Sequence, residues 1–185
     1  MTLHGLLLAA GAGRRMGRPK ALVDDWLPRS VAVLRGGGCD DVTVVLGAAV
    51  EEARPLLPDD VRVVVAMDWA TGMSASLRAG LDALAAQHHG AATGAADAAL
   101  VHLVDLPDVG ADVVGRVGRL AAPDALARAS YDGVPGHPVL IGCDHWAGVV
   151  ETLVGDQGAK GYLAAHGAAL VECGDLAGGQ DVDRR

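Results

Sequence analysis

The chain has 185 residues, of which 51% are hydrophobic, with a mean hydropathy of +0.29, a formal net charge of -8 and a pI near 5.2. These values exclude a disordered chain, and they argue against nucleic acid as the main partner, which would want a basic face. With aromatics at 3% and no Phe, the core must be built from Ala, Val and Leu.

Strand-like runs alternate with helix-like ones along the chain. Residues 4–9 are predicted as a first strand, followed by a basic glycine loop over residues 10–20. A helix follows over residues 27–36, stopped by Gly36-Gly37-Gly38. Residues 42–46 form a β-branched second strand, 50–57 a helix ended by Pro58, and 61–66 a third strand. Residues 74–87 place Leu77, Leu81 and Leu84 on one helical face. The Ala/Gly-rich residues 90–97 read as a loop, and residues 98–104 as a fourth strand of nearly continuous apolar character. Helix, strand and helix patterns continue to Cys173.

This alternation implies βαβ units, an α/β fold and a Rossmann-like, mostly parallel sheet. In such sheets ligands sit outside the carboxyl ends of the strands. The residues to read are therefore those just after strands: 10–20, Gly47, 67–72 and Asp105. No internal repeat or composition shift marks a second domain, so residues 1–185 are expected to form one. Cys39, Cys143 and Cys173 form no C-x-x-C pair and read as small buried hydrophobes, not as metal ligands or disulfides. No run approaches the roughly 20 apolar residues of a membrane span. No signal peptide is visible, because the apolar residues 6–10 run straight into arginines. A cytoplasmic location is expected.

The loop after the first strand carries Gly11 and Gly13, then Arg14, Arg15, Arg18 and Lys20, with no acid among residues 14–20. Glycines let backbone N–H groups approach an anion, and the cations neutralise it. Two common phosphate loops do not fit. A Walker A loop needs G-x-x-x-x-G-K-[ST], but here five residues separate Gly11 from Gly17, and Lys20 is followed by Ala21. The dinucleotide fingerprint G-x-G-x-x-G is exceeded by one residue, and no acid follows the second strand, which ends Leu46-Gly47.

The run Leu8-Ala9-Ala10-Gly11-Ala12-Gly13-Arg14-Arg15-Met16-Gly17-Arg18-Pro19-Lys20 resembles the L-A-A-G-x-x-x-R-M-G-x-P-K signature of the MobA-like nucleotidyltransferases. That family includes molybdenum cofactor cytidylyl- and guanylyltransferases and is related to sugar-nucleotide pyrophosphorylases. The resemblance implies a three-layer α/β/α sandwich of the nucleotide-diphospho-sugar transferase type. It also implies that Leu8, Ala9, Ala10, Gly11 and Gly13 line the nucleotide pocket, while Arg15 and Lys20 hold the triphosphate. A triphosphate carries about four negative charges, and cations there stabilise the departing pyrophosphate.

Asp105 ends the fourth strand, followed by Leu106-Pro107. A lone carboxylate in that position is costly unless paired or bound to a metal. The motif is similar to the family's strand-end D-x-P, which implies that Asp105 binds Mg²⁺; capping of the next turn is the structural alternative. His102 has the opposite parity along the strand and is expected to be a satisfied core or helix-packing histidine.

Asp68-Trp69-Ala70-Thr71-Gly72-Met73-Ser74-Ala75-Ser76-Leu77-Arg78 resembles the segment N-x-x-W-x-x-G-M-S-x-S-L-R of the cytidylyltransferase-like branch. Ser74 is expected at the nucleotide and Ser76 at the acceptor, with N-capping the simpler role for a serine there. Gly136-His137-Pro138-Val139-Leu140 resembles the family's G-H-P-V-L strand, which implies an acceptor contact for His137. Gly155-Asp156-Gln157-Gly158-Ala159-Lys160 resembles a G-D-x-G-A-[RK] turn, where Asp156 is expected to cap the helix that follows. Asp181-Val182-Asp183 matches the start of D-x-D-T-P-x-D, making Asp183 a candidate second metal ligand, although Arg184-Arg185 replaces the rest of the motif. Residues 21–28 are a few shorter than the family's usual segment.

The resemblance thus implies Mg²⁺-dependent transfer of a nucleotidyl group from an NTP, CTP ahead of GTP, to a phosphate-bearing acceptor such as molybdopterin. A molybdoenzyme apo-protein is the implied macromolecular partner. Two alternatives stay open. One is an NAD(P)H-dependent oxidoreductase, since residues 145–158 are similar to the family's actinobacterial nicotine blue oxidoreductase-like relatives. The other is a non-catalytic accessory protein that binds a molybdopterin nucleotide.

Overall fold

Alternate residues of a strand leave a sheet on opposite faces, and here each face meets its own set of helices. The computed structural model describes residues 1–90 and 95–182. Its strands are β1 (Leu3–Leu8), β2 (Asp41–Leu46), β3 (Arg62–Val65), β4 (Ala98–Leu103), β5 (Leu126–Tyr131), β6 (Val134–Gly142) and β7 (Ala169–Glu172). They form one seven-stranded sheet in the order β3-β2-β1-β4-β6-β5-β7. Only β6 runs against its neighbours; the remaining pairs are parallel.

Helices α1 (Trp26–Gly36) and α4 (Ala111–Gly118) cover one face, where Leu27, Val31, Leu34, Val113 and Val117 pack with Leu7, Val44 and Leu100. Helices α3 (Met73–Gly90), α5 (Trp146–Thr152) and α6 (Lys160–Ala165) cover the other, where Leu77, Leu81, Val149 and Leu163 pack with Leu6, Val45 and Val101. The result is the expected three-layer α/β/α arrangement. Strand β1 is buried along its whole length, which explains its lack of polar alternation. Among the described residues, no helix is long and apolar enough to cross a membrane.

Most elements fall within a residue or two of expectation. The helix expected over 50–57 is a short α2 (Val50–Ala53) continued by a 3-10 turn, Arg54–Leu56, that contains Pro55. Proline lacks the N–H that would extend an α-helix. Half of the loop expected at 90–97, residues 91–94, lies outside the described residues, and Gly90 belongs to α3. Strand β7 was not expected, because its four residues are mostly exposed and carry no apolar periodicity. Cys39 and Cys173 are buried, Cys143 is half-exposed, and all three are free thiols.

β7 earns its place through one side chain. The Glu172 carboxylate accepts from Ser130 Oγ at 2.8 Å and from the backbone N–H groups of Asp132, Gly133 and Gly174 at 2.9, 3.2 and 2.9 Å. These bonds pull its carboxyl down to about 2. They also fix the β5–β6 hairpin, whose two turn residues Asp132 and Gly133 have φ of 50° and 78°. That is the conformation of a tight Asp-Gly hairpin turn.

His102 corrects the expectation of a satisfied core histidine. It is 1% exposed, and its Nδ1 has no hydrogen-bond partner among the described residues. Burial pushes its pKa down to about 4. A histidine whose folded pKa lies below its unfolded value stabilises the fold fully above pH 6.5 and loses that contribution as pH falls towards the folded value. Unfolding free energy is therefore expected to drop by about 1.4 kcal/mol per pH unit from this group alone. Urea titrations between neutral pH and pH of about 5 should show a shallower loss in His102→Leu than in the parent protein.

Candidate functional site

The loop after β1 is anchored at its root by the sheet. Ala9 N–H donates to Val45 O at 2.9 Å, and Ala48 N–H to Ala10 O at 3.0 Å. The chain then turns sharply at Gly13, whose φ is +58° and where a Cβ would lie 1.8 Å from the Arg18 carbonyl oxygen. Only glycine fits so close an approach. The turn folds residues 14–19 over the loop and delivers Lys20, at the start of a 3-10 turn (Lys20–Leu22), to the end of β4. There its Nζ donates to the Asp105 carboxylate. Both side chains are largely buried, 17% and 11% exposed.

The segment after Lys20 packs inwards: Ala21, Val23, Trp26 and Leu27 all join the core beneath the loop. The Lys20 backbone is held from below by that core.

Above the carboxyl ends of β1 and β4 opens a cleft of about 340 Å³. Its floor is the backbone from Leu8 to Gly13, one wall is residues 69–73 with Ser76, and the other is residues 103–105. Arg14, Lys20 and Asp156 complete the rim. The Trp69 ring stands against Gly47, where a Cβ would come within 2.6 Å of it, so glycine there leaves room for the indole.

The cleft brings together Leu8, Ala9, Ala10, Gly11, Gly13, Lys20, Asp105 and Ser76 from the residues singled out in the sequence. It does not include Arg15; the lining arginine is Arg14. Nor does it include Ser74, which is 4% exposed and accepts instead from Gly158 N–H at 3.2 Å. Ser76, expected at the acceptor, lines this same cleft beside the residues expected at the nucleotide. Asp183 lies outside the described residues. The neighbouring Val182 donates its N–H to the Asp105 carbonyl at 3.0 Å.

Asp156 departs from expectation most usefully. It does not cap α6, which has no side-chain cap bond. Its Oδ1 accepts from Met73 N–H at 3.2 Å, at the first residue of α3, 83 positions earlier. Gly72, at φ +128°, allows this, since a Cβ there would sit 2.6 Å from Asp156 Oδ1. Ser74 N–H to Gly155 O at 3.0 Å completes the joint. A carboxylate at a helix start satisfies otherwise orphan donors and favours the helix dipole. Asp156→Ala is expected to cost about 1 kcal/mol of stability, readable as a lowered urea midpoint with native circular dichroism.

His137 lines a second, narrower cavity beside the cleft. Burial pushes its pKa down to about 3, so at neutral pH it presents an uncharged imidazole. Its carbonyl accepts from Tyr131 Oη at 2.6 Å.

No group of three or more His, Cys, Asp or Glu side chains that could hold a metal occurs among the described residues. A zinc-type site with four protein ligands therefore does not fit. The single buried carboxylate of Asp105 beside a phosphate-sized anion loop does fit Mg²⁺, which takes one or two protein carboxylates and completes its shell with substrate oxygens and water.

Residues 5–170 match a family model described as the MobA-like NTP transferase domain. The nicotine blue oxidoreductase of Paenarthrobacter nicotinovorans is 35% identical over 195 residues, spanning 97% of this chain and 91% of that protein. Among solved structures, Rv0371c of Mycobacterium tuberculosis H37Rv superposes with a TM-score of 0.79 at 24% identity, over 100% of this chain and 94% of that one. Rv0371c has also been solved in complex with manganese, a structure that matches with a TM-score of 0.71 at 23% identity over 94% of this chain and 88% of that one. A nucleotidyl transferase from Methanothermobacter superposes with a TM-score of 0.74 at 24% identity, over 93% of this chain and 87% of that one. These likenesses between structures establish the fold.

Proposed function

Because the chain belongs to the MobA-like NTP transferase family, we propose that it transfers a nucleotidyl group from an NTP, with CTP the preferred donor, to a phosphate-bearing small acceptor such as molybdopterin. The observation that carries this reading is the meeting of Lys20 and Asp105 at the mouth of a glycine-floored cleft. A nucleotidyl transfer needs both a cation for the leaving pyrophosphate and a carboxylate for the counter-cation. The preference for CTP rests on the resemblance of residues 68–78 to the cytidylyltransferase-like branch.

In the proposed reaction an oxygen of the acceptor phosphate attacks the α-phosphorus of the NTP. The bond from that phosphorus to the α,β-bridging oxygen breaks, and pyrophosphate leaves with the bonding pair. The attacking oxygen is already ionised, so no general base is needed; alignment and charge neutralisation carry the catalysis. Leu8 to Gly13 would hold the base and sugar against their backbone, and Trp69 would close the side of the slot. Lys20, with Arg14 at the rim and Arg15 as the family resemblance implies, would hold the β- and γ-phosphates. Asp105 would hold Mg²⁺, with Asp183 as a further ligand. When bound, that ion neutralises phosphate charge and polarises the phosphoryl oxygens. The whole of residues 1–185 would act as one domain, in the cytoplasm, passing its product to a molybdoenzyme apo-protein.

Pyrophosphate release, assayed with each NTP in turn against a molybdopterin acceptor, tests this reading. Release with none of the four NTPs would sink it.

The 35% identity to a protein named nicotine blue oxidoreductase favours a second reading, hydride transfer from a reduced nicotinamide nucleotide. Leu46-Gly47 at the end of β2 offers no acid for a ribose hydroxyl, so such a nucleotide would bind in a mode other than that of the dinucleotide-binding folds. Thermal-shift measurements with CTP, GTP and NAD(P)H, each with and without Mg²⁺, separate the two. Stabilisation by NAD(P)H alone, independent of metal, would favour the oxidoreductase.

A further inference from the structure

The cleft does not end at the nucleotide loop. Leu8 and Met73 line both it and the narrower cavity of about 60 Å³ that contains His137. Arg128, Lys160 and Leu163 in turn line both that cavity and an outer hollow of about 510 Å³ between α6 and the β5–β6 hairpin. Through these shared lining residues the three spaces follow one another along the α3/α5/α6 face of the sheet, from the glycine loop towards β5.

The chemistry along the path changes in a definite order. The waist is walled by Leu77, Val101, Val139 and Ile141, with the uncharged His137 among them. Beyond the nucleotide cleft, the charged side chains lining the waist and the hollow are Arg128 and Lys160. Arg128 is half-buried on β5, and its Nε and Nη2 both donate to the Gly136 carbonyl, at 3.2 and 3.0 Å. Neither Arg128 nor Lys160 is in an ion pair among the described residues. Some other cations of this acidic protein do find acids, as in Arg18–Asp24, Arg35–Asp60 and Arg116–Asp175. A half-buried guanidinium clamped to a neutral carbonyl keeps its charge but lacks a counter-charge, which is unfavourable unless a ligand supplies one. The outer hollow beyond it is apolar and open, with Val134 and Leu170 exposed on its sides.

We infer that the path is the binding site of the second substrate, and that Arg128 and Lys160 form an oxyanion subsite for a group at the end of that molecule remote from the reacting phosphate. The inference rests on the nucleotidyl-transfer reading for the direction of the acceptor. The molecule selected has three parts: a phosphate monoester directed at Lys20 and Asp105, a slim apolar or ring-edge body in the waist, and a second oxyanion, carboxylate or phosphate, at Arg128. With Nε and Nη2 engaged on Gly136 O, the remaining N–H donors of the guanidinium can still take a carboxylate or a phosphate.

The test is a side-chain NMR titration of the ¹⁵N-labelled full chain at constant ionic strength. The Arg128 Nε–H resonance is assigned by its disappearance in Arg128→Gln. Sodium benzoate and sodium phosphate, titrated separately, distinguish a carboxylate-selective from a phosphate-selective subsite. A saturable shift of Arg128 Nε with at least one of them is expected. It should weaken several-fold in Lys160→Gln, persist in the presence of CTP and Mg²⁺, and leave CTP affinity unchanged in both variants. A linear, non-saturating shift with both anions, or one indifferent to Lys160→Gln, would overturn the subsite. So would competition between the anion and CTP, because a second-substrate site must be filled together with the first. Arg128→Lys, which retains the charge, keeps the test readable if the glutamine variant folds poorly. A saturable Arg128 shift in a protein that neither binds CTP nor releases pyrophosphate would count against the proposed function while upholding the subsite.

Discussion

Replacing Lys20 with alanine is expected to slow pyrophosphate release by about 10²–10³-fold, the usual loss when one preorganised donor to a developing charge is removed. The side chain sits at the cleft mouth, held by the 3-10 turn that follows Gly13. On the proposed function its ammonium would meet the β- and γ-phosphates. Because the group acts on charge that grows as the bridging bond breaks, the loss should fall mainly on kcat and less on KM for the nucleotide. Lys20→Arg keeps the charge but carries a bulkier planar head, and should recover only part of the rate. Full activity in the alanine variant would remove Lys20 from the reaction.

Asp105→Asn is the second large effect. The substitution is nearly isosteric, so the end of β4 and its backbone bond to Val182 are expected to survive. What is lost is the negative charge in a site where the carboxylate is only 11% exposed. Turnover should fall by about 10³-fold, and raising Mg²⁺ should not restore it, since an amide is a poor ligand for a hard cation. Stability should also fall, because removing one partner of a largely buried pair leaves the other with an uncompensated charge. Mg²⁺ titrations of initial rate, read beside the urea midpoint, separate the two losses. A variant with parental rate and an unchanged Mg²⁺ requirement would exclude Asp105 as the metal ligand.

The parts of this site that were legible in the sequence are those whose chemistry is written in consecutive residues. The run from Leu8 to Lys20 carries its glycines, cations and apolar root in thirteen positions, and the structure gathers most of them around one cleft. Asp105 stood out because an acid at the end of an apolar strand has few inexpensive explanations. The sheet was legible for the same reason: β1, β2 and β4 are buried on both faces and read as apolar runs.

What stayed hidden depends on contacts between distant segments. Asp156 lies beside its own helix in sequence, so local capping rules point to α6, yet the chain folds it onto α3. Ser74 looked like a ligand contact because it opens a helix, but the loop at residues 155–158 covers that helix end first. Arg14 and Arg15 are adjacent, and which of them faces the cleft is decided by the backbone turn at Gly13, not by composition. β7 is too short to show a period, and its role rests on what Glu172 reaches. Arg128 on β5 and Lys160 on α6 line the same cavity, and no spacing rule links residues 32 positions apart.

The contact between Lys20 and Asp105 carries a thermodynamic consequence of its own. A triphosphate that draws Lys20 away exposes the Asp105 carboxylate, and a divalent cation that occupies Asp105 releases the ammonium. On the proposed function each event would remove part of the cost of the other, so nucleotide and cation would be reciprocally linked: whatever factor Mg²⁺ adds to CTP affinity, CTP must add to Mg²⁺ affinity. Calorimetric titration of CTP at several Mg²⁺ concentrations would read that factor. Lys20→Gln, which abolishes the internal ion pair, should shrink the part of the coupling that the protein itself supplies. In that light the pair would work as a latch that discriminates against either ligand arriving alone.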